Sequence, residues 1–212
     1  MLVLAVDTSS AAVTAALVEV TGTDVLPVVQ RVVLNARGHG ELLAPEIAAC
    51  LAEAGRTPAD LAAVVAGTGP GPYTGLRVGL VTAAVMGETL GVPTYGVCSL
   101  DAIGSPELTG VVATDARRRE VYWARYEDGV RTDGPYVDRP DSLVLQGETA
   151  GAGARQHGLG VPLDGRDHPS GLELVRVAAD RIRSAAPSEV LVPLYLRHPD
   201  AVPPGAAKPV SA

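Results

Sequence analysis

A carboxylate followed by three hydroxyl side chains stands near the start of the chain. The residues are Asp7, Thr8, Ser9 and Ser10, and they follow the apolar run LVLAV. An aspartate at the end of a buried strand can orient a metal-bound water, while hydroxyls and turn amides can hold phosphate oxygens. Asp and Ser are also common turn formers that bond their own backbone. A phosphate loop and a plain structural turn therefore both remain open for this segment.

A second aspartate, Asp115, stands in a similar setting in the string VVATDARRR, and the phosphate interpretation applies to it more weakly. The arginines at 117–119 are a local exception, because 17 Lys and Arg face 24 Asp and Glu and the net charge is −7. Nucleic-acid-binding proteins usually present a basic face. We interpret the arginine triplet as a solvated turn, and we expect the isolated chain to bind RNA weakly.

A glycine- and proline-rich loop, GTGPGPYTG, begins at Gly67 and leads directly into a helical pattern. It is not a P-loop, because the lysine that a P-loop needs is missing and the one lysine of the chain is Lys208. Pro70 and Pro72 also remove backbone donors from the place where a phosphate cradle needs them. The loop is therefore expected to fix a rigid helix start.

Small residues recur at every fourth position of the helix that follows. Gly75, Gly79, Ala83 and Gly87 form one stripe. Glycine weakens a helix interior by about 1 kcal/mol relative to alanine, so the stripe makes sense where another backbone approaches closely. The rest of the helix is mostly apolar, which predicts burial on more than one side. The neighbouring helix and another subunit both remain open as the second contact.

Other catalytic motifs are missing from the sequence. None of the four histidines belongs to an HxxxH, HExxH or His/Cys cluster, so no metal site is predicted. Cys50 and Cys98 lack CxxC spacing, and we expect buried thiols in a cytoplasmic protein. No apolar run reaches the roughly 18 residues that a membrane span needs. The sequence therefore shows no obvious self-sufficient active site.

The elements that must position these residues alternate between strands and helices. Three strands are predicted over residues 2–34, followed by helices over 39–54 and 73–90, each preceding a short strand. The order of elements begins again near residue 110, with a strand, an aspartate, a polar turn and an alternating strand. The string GLELVRVAADRIRSAA predicts an amphipathic helix, and VLVPLYLRHP predicts a last strand.

This order predicts an α/β protein of two lobes, each with a mixed β-sheet and packed helices. The predicted lobes are residues 1–100 and a smaller one at 101–200. The Pro/Ala-rich tail 201–212 is expected to be flexible.

Five strings resemble the bacterial TsaB family, also called YeaZ. They are LAVDTSS, HGELLAPEI, GTGPGPYTGLRVGL, TDARRREVYWARY and PLYLR, and they run in this order nearly from end to end. The resemblance implies an actin-like ATPase (ASKHA) fold with degraded nucleotide chemistry, so that Asp7 to Ser10 and Asp115 would belong to degenerate phosphate loops. It implies a non-catalytic subunit of the complex that forms N6-threonylcarbamoyladenosine next to the anticodon of tRNAs reading codons that begin with A.

The resemblance also implies partners. The chain would bind and activate the catalytic subunit TsaD, assemble with the ATPase TsaE, reach tRNA through the complex, and form a homodimer when alone. No cofactor of its own is implied, and ATP or ADP at the complex interface remains open. The docking surface would lie on helices 39–54 and 73–90. The predicted interface residues are Leu42, Leu43, Glu46, Ile47, Leu76, Arg77, Gly79, Leu80 and Ala83.

The alternative function is a small actin-like ATPase or sugar-type kinase that uses Asp7 and Asp115. The missing lysines and the proline-filled loop speak against it. The catalytic relative carries two metal-binding histidines on its first helix, whereas His39 here is followed one turn later by Leu43. The resemblance therefore implies that the metal site is absent.

Overall fold

The computed structural model describes residues 1–104, 107–143, 145 and 147–197. The described elements in chain order are β1 (Leu2–Asp7), β2 (Ala12–Val20), β3 (Val25–Leu34), α1 (His39–Glu53), β4 (Leu61–Gly67), α2 (Tyr73–Leu90), β5 (Thr94–Val97), α3 (Ser99–Gly104), β6 (Gly110–Asp115), β7 (Val121–Glu127), β8 (Val130–Asp138), β9 (Glu148–Ala150), α4 (Ala152–His157), β10 (Val161–Pro162) and α5 (Gly171–Arg183). Within these ranges, none of the helices has both the length and the apolarity that crossing a membrane requires.

The ten strands of the described residues form two five-stranded sheets with the same topology. The first has the order β3-β2-β1-β4-β5, and the second has the order β8-β7-β6-β9-β10. In the first sheet β1 pairs antiparallel with β2 and parallel with β4, and in the second β6 pairs antiparallel with β7 and parallel with β9. The predicted mixed sheet in each half is therefore confirmed, and the two halves repeat one plan.

The first sheet is covered by helices on both faces. Side chains alternate along β1, so that Leu4 and Val6 face α1 and α2 while Val3 and Ala5 face α5. A strand that is buried on both faces reads as a continuous apolar run, which explains the string LVLAV. The result is a three-layer lobe with the opening aspartate at the carboxyl end of its central strand.

Helix α5 comes from the second half of the sequence but lies against strands β1 to β5 of the first sheet. The predicted division at residue 100 also falls inside α3, at Ser99–Gly104. The chain therefore returns to its first lobe after building the second. The ranges 1–100 and 101–200 do not separate the two packed units along the sequence.

The prediction of a last strand within VLVPLYLRHP is wrong, because the described part of this string, up to residue 197, contains no strand. Residues 188–196 have no regular secondary structure, and they contact the first lobe through two backbone bonds, from Glu189 N to Thr94 O on β5 at 2.9 Å and from Leu194 N to Thr68 O just after β4 at 2.8 Å. Pro193 has no N–H to donate between these points, so no regular ladder forms. The predicted tail 201–212 lies outside the described residues.

Candidate functional site

Asp7 is buried at the end of β1, and its carboxylate is already occupied by the chain's own donors. Its Oδ1 accepts hydrogen bonds from the Ser9 amide at 2.9 Å and the Ser9 hydroxyl at 2.7 Å, and its Oδ2 accepts one from the Ser99 hydroxyl at 2.5 Å. The Ser99 hydroxyl in turn accepts from the Gly69 amide at 3.0 Å. Gly67 closes the site, because any Cβ at that position would overlap with Oδ2.

This environment disfavours a charged, water-orienting carboxylate. Burial raises the pKa of Asp7 above its ordinary value, and the hydrogen bonds from Ser99 and Ser9 and the charge of His39 offset only part of that rise. His39 itself is buried, and its Nε2 donates to the Ser10 carbonyl oxygen at 2.8 Å. Among the described residues, no three His, Cys, Asp or Glu side chains come close enough to hold a metal ion.

Thr8 connects the opening turn to α2. Its hydroxyl donates to the Gly75 carbonyl oxygen at 2.7 Å and accepts from the Gly79 amide at 3.0 Å. A Cβ at Gly79 would lie 2.6 Å from Thr8 Oγ1, closer than real Cβ atoms approach. At Gly75 and Gly79 the small-residue stripe therefore admits the opening turn of this same chain, and at Gly87 it admits Thr94 at the start of β5. Of the predicted phosphate loop, Asp7, Thr8 and Ser9 hold the fold together and are not exposed to a ligand.

The glycine- and proline-rich loop packs into the same turn. The Gly69 carbonyl oxygen accepts from the Ser99 amide at 2.7 Å, and Gly71 lies so close to the Ser9 carbonyl that it has no room for a side chain. The Pro72 carbonyl oxygen accepts the Leu76 amide at 3.0 Å and starts α2. This arrangement agrees with the interpretation of the loop as a rigid helix start.

Ser10 and Asp115, the remaining predicted phosphate-loop residues, both line a small cleft between the two lobes. The Ser10 hydroxyl lies 3.2 Å from His168 Nδ1, and the Asp115 carboxylate accepts from the Arg117 amide at 2.9 Å. Burial lowers the pKa of His168, although Asp167 beside it acts in the opposite direction. The cleft has a volume of about 140 Å³. Typical ligand pockets are about 300–1,000 Å³, so this cleft is small for a nucleotide.

Both cysteines are buried thiols, as predicted. Burial raises the pKa of Cys50 to about 11 and that of Cys98 to about 12. Because the thiolate is the nucleophile, neither side chain is reactive at neutral pH.

Most of the predicted interface residues belong to the interior of the first lobe. The buried ones are Leu43, Ile47, Leu76, Gly79, Leu80 and Ala83. Leu42 and Glu46 are half-buried, and Glu46 pairs with Arg31 on β3 at 2.5 Å. The hydrophobic period identifies which residues are covered, but the chain's own sheet and turn cover them here. The small-residue stripe is therefore not evidence for contact with another subunit. The predicted use of the two helices for docking is untested.

The solvent side of α1 and α2 carries a different set of small and apolar side chains. We define the outer helix face as the exposed residues Ala44, Ala48, Val81, Ala84 and Val85. Val81 and Val85 are 59% and 57% exposed, although valine is usually an interior residue. In α2 the helical periodicity that predicts the buried stripe also places Val81 and Val85 on the opposite side of the helix. These exposed positions could therefore have been identified from the sequence.

Arg77, also in the predicted interface, is exposed and held by aromatic residues. Its guanidinium carbon lies 4.1 Å from the Tyr73 ring centroid, and its Nε donates to the Tyr195 hydroxyl at 3.2 Å. Tyr195 stacks on Tyr73 with ring centroids 5.0 Å apart. A groove of about 900 Å³ runs from here between α2 and residues 188–195. Sequence reasoning missed this contact, because it joins positions more than 100 residues apart.

Most of the chain can be matched to known proteins. A family model described as TsaD, tRNA N6-adenosine threonylcarbamoyltransferase, matches residues 31–162. An uncharacterised protein of Mycobacterium bovis is 50% identical over 206 residues, covering 95% of this chain and 94% of that protein. The tRNA threonylcarbamoyladenosine biosynthesis protein TsaB of Escherichia coli is 33% identical over 133 residues, covering 60% of this chain and 55% of that protein. The matches span 56% of a Mycobacterium leprae relative, so about half of some relatives lies outside them.

The solved structure of YeaZ from Pseudomonas aeruginosa has a similar fold. Its TM-score is 0.74 at 22% identity, covering 92% of this chain and 100% of that chain. With the two sheets of identical strand order, this similarity defines an α/β protein with an actin-like ATPase fold in two lobes, as predicted. The matches to the family model and to TsaB go further: the chain belongs to the TsaB/YeaZ family.

Proposed function

We propose that the chain is a non-catalytic subunit in the formation of N6-threonylcarbamoyladenosine in tRNA, and that it binds and activates TsaD. The observation that carries the proposal is a contrast between two parts of the first lobe. The polar groups at the end of β1 are consumed inside the fold, whereas the outer helix face is exposed and apolar. Family membership supplies the biosynthetic context.

The non-catalytic part of the proposal rests on Asp7. In the alternative ATPase function, Asp7 would have to orient a metal-bound water. Here three hydrogen bonds engage both carboxylate oxygens, and burial raises the pKa of Asp7. A nucleotide, in this proposal, binds at the interface with the partners rather than in the small cleft of this chain.

The docking part rests on the outer helix face. Exposed apolar side chains side by side on two helices are typical of protein interaction sites. The five members of this face are uncharged, and the exposed Glu41, Arg77 and Glu88 lie one turn away from them on the same helices. Burying the face against a matching helix surface would remove two valines from water. TsaD is the proposed occupant, and a second copy of this chain could use the same face. TsaE and tRNA would then join the assembled pair.

Reconstituted tRNA modification tests the proposal. The chain, its TsaD and TsaE counterparts, the threonylcarbamoyl adenylate and an unmodified tRNA transcript would be combined, and the modified nucleoside measured by mass spectrometry. We expect modification to need this chain and to survive Asp7→Asn in it. Equal modification without the chain, or its loss with a folded Asp7→Asn variant, would contradict the proposal.

A second substitution of Asp7, to alanine, separates the proposal from an ATPase or kinase. Incubation of the purified chain with ATP and magnesium is expected to release no phosphate beyond the background. Steady release that Asp7→Ala abolishes would show that the chain is an enzyme in its own right.

A further inference from the structure

The arginine triplet adopts a backbone conformation that arginine rarely takes. Arg117, Arg118 and Arg119 have φ values of 60°, 54° and 61°, so three consecutive residues lie in the left-handed region. Outside glycine this region is strained, and such residues persist only where the surrounding structure holds them. All three are exposed, so burial of their side chains does not explain the conformation.

Specific contacts hold the turn. The Asp115 carboxylate accepts from the Arg117 amide at 2.9 Å, and the Arg117 carbonyl oxygen accepts from the Glu120 amide at 3.0 Å. Arg197, directly after the segment 188–196, pairs with Glu120 and donates to the Arg117 carbonyl oxygen at 3.3 Å. Residues from two distant parts of the chain therefore fix one short turn at the edge of the interlobe cleft, which Arg117 lines.

The nearby carboxylates bind groups other than the Arg117 and Arg119 side chains, and Asp115 accepts from the Arg117 backbone amide. Glu120 pairs with Arg197, while Asp167 across the cleft pairs with Arg155 at 3.0 Å. In the part of the chain that the structure describes, neither Arg117 nor Arg119 has a carboxylate within ion-pairing distance. Among the described residues, the turn thus holds two exposed guanidinium groups without an ion pair, on a chain whose net charge is −7.

We propose that this turn, defined as Arg117 and Arg119 with their backbone, contacts the phosphate backbone of tRNA in the assembled complex. The inference rests on the proposed function, which gives the complex a polyanionic substrate. Planar guanidinium groups suit phosphate oxygens, and phosphate contacts supply most sequence-independent affinity for nucleic acid. The acidic remainder of the chain would confine the RNA to this turn. This revises the interpretation of the triplet as a merely solvated turn.

Salt-dependent RNA binding by the assembled complex tests the inference. The probe is a fluorescently labelled, unmodified tRNA transcript, titrated with this chain bound to its TsaD counterpart. For Arg117→Gln/Arg119→Gln we expect affinity to fall on the order of tenfold at about 100 mM salt. We also expect the slope of log affinity against log salt to become shallower by about 1 for each lost phosphate contact.

The matched control is Arg125→Gln/Arg139→Gln, which removes the same charge from two exposed arginines elsewhere on the second lobe. It should leave the affinity within about twofold of the parent, because long-range charge effects are screened beyond roughly 10 Å. Arg119→Gly serves as a folding control, since glycine relieves the left-handed residue. It should melt about 2–4 °C higher than the parent while binding RNA more weakly.

The outcomes are distinguishable. Equal RNA affinity for the turn variant and the control would overturn the inference. Loss of TsaD or TsaE binding by the turn variant with unchanged RNA affinity would also overturn it, and would assign the turn to a protein contact. A parent chain that does not assemble with TsaD would overturn the proposed function and this inference together, before any variant is made.

Discussion

Asp7 links three elements of the fold through one buried carboxylate. Its oxygens join the β1 end, the Ser9 turn and Ser99 at the start of α3. Three elements thus meet at one carboxylate, and a buried polar group that is satisfied in this way specifies one arrangement of its neighbours. The string VDTSS predicts the turn but not its partners, because Ser99 is far away in the sequence.

The pH dependence of stability should report the buried Asp7. Burial raises the pKa of Asp7 above its ordinary value of 3.8, so the folded state keeps the proton to higher pH than the unfolded state. The stability that this group contributes is full below the unfolded-state pKa and is lost as pH rises through the folded-state pKa. We therefore expect the unfolding free energy of the parent, relative to Asp7→Asn, to fall as pH rises above about 4.

Urea unfolding of both proteins across a pH series measures this difference. Parallel curves, or a parent that gains stability over Asp7→Asn as pH rises, would show that Asp7 is not held as described.

The Thr8 hydroxyl should contribute measurably to the stability of the fold. Thr8→Val keeps the volume but removes the bonds to the Gly75 carbonyl oxygen and the Gly79 amide. Loss of a buried hydrogen-bond partner costs about 1–3 kcal/mol, and each kcal/mol lowers the melting temperature by about 2–4 °C at this size. Thr74→Val, exposed on the first turn of α2, should change it by less than about 2 °C. Equal shifts for the two variants would be evidence against the bridge.

At the scale of elements, α2 separates what periodicity predicts from what it leaves open. Small residues at every fourth position of α2, between Tyr73 and Leu90, correctly predict a stripe that another part of the protein approaches closely. The partner could not be predicted, because spacing reports which side is covered and not what covers it. Thr8 lies against Gly75 and Gly79, and Thr94 lies against Gly87. The residues available for docking are therefore those on the opposite side of the helix.

Two helix glycines should respond in opposite directions to alanine. Gly79→Ala places a Cβ 2.6 Å from Thr8 Oγ1, and we expect a destabilisation of about 1–3 kcal/mol from overpacking. Gly40→Ala in α1 meets only Val78 Cγ2 at 4.0 Å, and higher helix propensity should stabilise the chain by up to about 1 kcal/mol. Thermal unfolding compares them. A stabilised Gly79→Ala variant would contradict the close approach of the turn.

At the scale of the whole molecule, the order of elements predicted the two lobes, and local patterns predicted α1, α2 and α5, the three long helices that pack on the first sheet. The absence of a strand in residues 188–197 and the packing of α5 on the first lobe were not predictable from local patterns. Whether residues 188–197 complete a sheet depends on distant backbone partners and on Pro193, and the return of α5 depends on the uncovered face of the first sheet. The string VDTSS draws attention to the polar residues at the end of β1, but only tertiary contacts show that Asp7, Thr8 and Ser9 are hydrogen-bonded inside the fold.

The affinity of the chain for its TsaD counterpart tests the central claim most directly. Val81→Glu places a charge on the outer helix face, and burying such a charge at an interface should weaken binding about 10- to 100-fold. Val177→Glu, an exposed valine on α5, is the matched control and should bind like the parent. Calorimetric titration gives both constants, with circular dichroism to confirm folding. If Val81→Glu binds as tightly as Val177→Glu while both remain folded, TsaD docks elsewhere and the assignment of the outer helix face is wrong.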